Sequence, residues 1–161
     1  MDGRYIYVGE YVSFQGTDRE KKTLDIKALI SAVLALLSLA GGICTLAGDM
    51  AAKLYIVIPL ILEVIFGFFL IWYTIEYLKG GNPMKEHVYK KIAGKLPVFG
   101  LFMAIFSGVG LILSLVFLLT EGLSGVSAYN AAYTAAKLIT TIVGIFFFMC
   151  MKRGKWEPGK G

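Results

Sequence analysis

Four long apolar runs leave this chain few ways to fold. They cover about residues 28–48, 54–78, 96–119 and 135–151 of 161. Each meets or approaches the ~20 residues that a helix needs to cross a hydrocarbon layer. No water reaches backbone N–H and C=O groups there, so a spanning segment must be a helix or part of a closed barrel. Barrel strands alternate polar and apolar residues, and these runs do not. The expected fold is all-α, an integral membrane four-helix bundle. Charged residues make up only 17% of the chain, against about 25% in soluble domains, and nearly all of them fall between the runs. The first run follows a polar tail and is longer than the core of a secretory leader, so it reads as a retained helix.

Basic residues set the orientation of such a bundle, because Lys and Arg collect in cytoplasmic segments. Arg4, Arg19, Lys21, Lys22 and Lys27 precede the first run. Lys79, Lys85, Lys90, Lys91 and Lys95 lie between the second and third. Lys152, Arg153, Lys155 and Lys160 follow the fourth. These are fourteen of the 16 basic residues, and only Lys53 and Lys137 fall on the other side. The expected arrangement is a multi-pass cell-membrane protein, N-in/C-in, with a cytoplasmic tail at 1–27, a transmembrane domain at 28–151 and a second cytoplasmic tail at 152–161. Trp72, Tyr73, Tyr77 and Trp156 would anchor the inner interface, and Tyr55, Tyr129 and Tyr133 the outer one. The outer loops, about 49–53 and 120–134, are too short to hold a domain. The net charge of +5 speaks of anionic lipid rather than nucleic acid.

Outside the runs, residues 5–14 are rich in aromatic and β-branched types and read as a short strand or hairpin. Asp18 or Thr23 is a candidate cap for the first helix. In the middle loop, Asn82 and Pro83 suit the N-cap and first position of a short helix. Met84, Val88 and Ile92 share one face of it, and Lys85, Lys90 and Lys91 lie away from that face. This basic amphipathic helix, with Lys95 after it, suits contact with anionic lipid or a partner. The sequence Ala-Ala-Lys-Leu occurs at 51–54 and 135–138, at the openings of the second and fourth runs, as either tandem helical hairpins or a chance resemblance between apolar helices would produce.

Glu63 is the one acidic residue deep in a run, about 14 Å from its start at 1.5 Å per residue. An ionised carboxylate there costs several kcal/mol, so Glu63 is expected to be protonated, paired or facing water, either as a proton- or cation-binding group or as a protonated hydrogen-bonder that fixes helix register. The same rise places Ser38, Ser107 and Thr141 at similar depth, as an intramembrane polar layer around Glu63. Ser38/Gly42, Ala104/Gly108, Gly110/Ser114 and Thr140/Gly144 are small-residue pairs four apart, the spacing that lets helices approach closely.

No nucleophile motif, phosphate loop or dinucleotide fingerprint is present, so no catalytic residue is assigned and the chain does not read as an enzyme. Two cysteines, one histidine and no metal-ligand spacing give no basis for a metal or cofactor. The expected role is that of an accessory, regulatory or assembly subunit, acting on another membrane subunit or a second copy. The alternative is a small proton- or cation-coupled transporter or channel, oligomeric, that uses Glu63.

Overall fold

The computed structural model describes residues 11–46, 48–92, 94–121, 128–154 and 156–158. In chain order the elements are strand β1 (Tyr11–Phe14), helices α1 (Asp18–Thr45), α2 (Gly48–Ala51) and α3 (Leu54–Lys79), strand β2 (Met84–Lys85), helices α4 (Glu86–Lys91), α5 (Leu96–Glu121) and α6 (Ala128–Lys152), and strand β3 (Trp156–Pro158). Helices α1, α3, α5 and α6 are long and apolar enough to cross a membrane.

These four form a ring. α6 packs between α1 and α5, while α3 packs on α5 and more lightly on α1, so α3 and α6 face each other across the diagonal. The ring is apolar outside: Leu37, Phe68, Ile112 and Ile142 are all well exposed. Its contacts are made by small residues, as expected where lipid tails remove the hydrophobic drive between helices. α1 buries Ala28, Ala32, Ala35 and Gly42. A Cβ on Gly144 of α6 would lie 2.9 Å from Ala104 Cβ and 3.1 Å from the Gly100 carbonyl, so α5 and α6 touch backbone to backbone. Between α3 and α5 the contact is aromatic, with Phe66 stacked on Phe102 and Phe106, and Tyr73 on Phe99.

A three-stranded antiparallel sheet, ordered β2-β1-β3, caps one end of the ring. β1 precedes α1, β2 lies between α3 and α5, and β3 follows α6, so the sheet gathers three separate segments. Val12 pairs with Met84 on one side and Pro158 on the other. The strand-forming tail thus finds its partners within its own chain. Residues 5–10 of that expected strand, with Arg4, Lys155 and Lys160, lie outside the described residues.

Several local expectations are corrected. α1 starts at Asp18, well before the apolar run. Its cap is Thr17, whose hydroxyl accepts from Glu20 N while Glu20 accepts from Thr17 N at 2.8 Å. This Thr-x-x-Glu capping box satisfies two end donors together. α4 begins at Glu86, not after Asn82; the Asn82 side chain accepts from Phe14 N at 3.2 Å and ties the loop to β1. Met84 and Ile92 are buried and Val88 is half-buried, so the inward face of the loop is the one expected. α6 begins at Ala128, two turns earlier than the apolar run implied. One copy of Ala-Ala-Lys-Leu therefore leads into α3, with Lys53 as its N-cap, and the other lies inside α6. Tyr77 and Tyr133 are fully buried, so neither is an interfacial anchor, whereas Trp72 and Tyr129 are exposed.

Candidate functional site: a diagonal ion pair

Glu63 is nine residues into α3 from Leu54, and Lys137 is nine residues into α6 from Ala128. Both helices start at the end opposite the sheet, so the two residues lie at equal depth, about 14 Å along. Lys137 Nζ donates to Glu63 Oε2 across the diagonal, with side-chain exposures of 1% and 0%. The lysine stem runs beside Gly110 of α5, where a Cβ would touch its Cδ at 3.5 Å and Pro59 Cβ at 3.9 Å. The Lys137 ammonium also sits 5.1 Å from the centre of the Tyr133 ring, close enough for the ring face to attract it.

Hydroxyls surround the pair. Ser107 of α5 donates to the Lys137 carbonyl at 2.9 Å, and Thr141 to the same carbonyl at 2.8 Å. Ser38 of α1 is 2.8 Å from the Ala136 carbonyl and 2.6 Å from the Thr140 hydroxyl, which is itself 3.0 Å from Ala136 O. Ser107 and Thr140 lie within reach of the carboxylate. A hydroxyl has a single proton, so serving Glu63 means releasing a carbonyl of α6. Glu63 Oε1 and the Tyr133 hydroxyl have no hydrogen-bond partner among the described residues.

All four residues of the expected polar layer thus occur at one level. Glu63 and Ser107 stand at the pair itself, while Ser38 ties α1 to α6 through the Ala136 carbonyl and Thr141 bonds back within α6 to the Lys137 carbonyl. Lys137 and Thr140 were not assigned to the layer from sequence. A usable signal was present: Asn130, Tyr133, Lys137, Thr140 and Gly144 recur at helical spacing and all lie on the buried face of α6.

The four loop cations are spread over the cap. Lys85 stands on β2 opposite Tyr11, Lys90 pairs with Glu86 at 2.5 Å, and Lys91 and Lys95 are exposed before α5. A second buried lysine lies at this end. Lys21 of α1 holds both Asp25 oxygens at 2.5 and 2.7 Å, and its ammonium is 4.7 Å from the Tyr77 ring and 5.4 Å from the Trp156 ring. Trp156 also meets Phe14 and Tyr89, which fastens β3 to the helix ends.

Fold and site define a four-helix bundle whose helices are long and apolar enough to cross a membrane, with an ion pair at its centre and a small sheet at one end. No known family model, curated protein or solved structure matches the chain.

Proposed function

We propose that the chain is a small integral membrane protein, with both tails and the middle loop in the cytoplasm, that acts as an accessory, regulatory or assembly subunit. The orientation is supported by the basic residues of those three segments and by the pairing of β1, β2 and β3 in one sheet, which suits segments that share a side. The observation that carries the reading is the Glu63–Lys137 pair. It cancels the charges deep in the spans within the bundle itself, and so suits a part that fixes helix register. The surfaces left for work are the cap and the outer helix faces, which would meet another membrane subunit or a second copy. Crosslinking in the native membrane followed by purification in mild detergent tests this. A partner in fixed proportion is expected; a chain that stays alone contradicts the reading.

One observation favours a second reading, proton- or cation-coupled transport. Among the described residues, Glu63 Oε1 of α3 and the Tyr133 hydroxyl of α6 are buried without hydrogen-bond partners, and Tyr133 belongs to a polar stripe of α6 that runs from Asn130 to Thr140. Intramembrane carboxylates often mark ion paths. Purified protein in liposomes separates the readings. Transport requires proton-coupled flux that Glu63→Gln abolishes, and equal flux in both proteins rules it out.

A further inference from the structure

An open groove of about 480 Å³ lies at the sheet end of the bundle, between the first turns of α1 and the last turn of α6. Arg19, Thr23 and Lys27 line one wall at a spacing of four, which puts them on one face of α1. Arg153 lines the other, just beyond the end of α6, and Leu24 and Cys150 supply apolar surface between them. The nearby acids are committed elsewhere. Asp25 holds Lys21, and Glu20, though it lines the groove, is turned back onto Thr17 as part of the helix cap. Among the described residues, the side chains of Arg19, Lys27 and Arg153 make no ion pair.

The level of these cations points to a ligand. Lys27 immediately precedes the apolar part of α1 and Arg153 immediately follows α6, so the groove sits where two spans leave hydrocarbon. Guanidinium groups suit the paired oxygens of a phosphodiester. Apolar surface beside them suits the first carbons of an acyl chain.

We propose that this groove binds the headgroup of an anionic phospholipid, with Arg19, Lys27 and Arg153 as its ligands. The inference rests on the membrane placement above but not on any partner. It also differs from the middle-loop lysines, which lie elsewhere on the cap. Each basic side chain near an anionic headgroup strengthens binding about fivefold, and three together on the order of a hundredfold.

The test uses the purified full chain in mild detergent, titrated with phosphatidylglycerol and with phosphatidylcholine, the bound lipid being counted by native mass spectrometry. One phosphatidylglycerol per chain is expected, in preference to phosphatidylcholine. Binding should fall on the order of a hundredfold in the Arg19→Gln/Lys27→Gln/Arg153→Gln variant and stay unchanged in Lys22→Gln, which is exposed on α1 outside the groove. Arg153→Gln alone should lose about fivefold, which keeps the test open if the triple variant misfolds. Equal binding by the triple variant or by Arg153→Gln, a loss in Lys22→Gln equal to that in Arg153→Gln, or displacement of the lipid by excess inorganic phosphate would each overturn the proposal.

Discussion

Among the described residues two lysines are buried, Lys21 and Lys137, and they are buried in different ways. Lys137 finds its carboxylate on another helix, 74 positions away and across the diagonal of the ring. Lys21 finds Asp25 one turn along its own helix and lays its ammonium against Tyr77 and Trp156. The first pair exists only when α3 and α6 are at the right depth and rotation, so it reports and enforces the fold. The second would form in an isolated helix. It touches the fold through aromatic rings that bring α3 and β3 to α1. The carboxylates differ as well: Glu63 is fully buried, whereas the Asp25 side chain is 27% exposed and retains water when its lysine is lost.

Lys137→Met should therefore be the most damaging change of the set. It leaves a buried carboxylate unpaired, which costs about 3–5 kcal/mol, and unfolding in mixed detergent micelles would measure it. Gly144→Ala should come next, at about 1–3 kcal/mol, because its methyl meets Ala104 and the Gly100 carbonyl with nowhere to move. Gly41→Ala, on the same bundle but with nothing within 4 Å of the new Cβ, should leave stability unchanged. Of the damaging changes, Lys21→Met should cost least, about 1 kcal/mol, for the lost cation–π contact and a partly hydrated pair. Its clearer mark should be faster hydrogen exchange in β1 and β3, because Trp156 loses the ammonium it packs on. If Lys21→Met proved as costly as Lys137→Met, the distinction between a local and a fold-wide pair would fail.

The same contrast explains what the sequence made legible. Long apolar stretches can only be helices in hydrocarbon, so all four spans were readable, and the depth of Glu63, Ser38, Ser107 and Thr141 followed from the rise per residue. The start of α6 was not readable from hydropathy. Asn130, Tyr133 and Thr134 resemble an outer loop because they are polar, yet Asn130 and Tyr133 face the interior. That displaced boundary kept Lys137 above the layer where it meets Glu63. The sheet was hidden for another reason. The strand tendency of residues 11–14 showed, but β2 has two residues and β3 three, too short for periodicity to register. They become strands only because the helix ends bring them to β1. The Thr17 cap, by contrast, is written plainly in the sequence as Thr-x-x-Glu, a fuller signal than Asp18 or Thr23 alone.

The central claim, that Glu63 and Lys137 are one unit across the bundle, is tested most directly by a double-mutant cycle. Unfolding free energies would be measured for Glu63→Leu, Lys137→Met and the chain carrying both. A buried ion pair replaced whole by apolar side chains is often neutral or stabilising. The double variant should thus return to within about 1 kcal/mol of the parent, with a coupling energy of about 3 kcal/mol or more between the sites. Two single effects that simply add in the double variant would contradict the pairing.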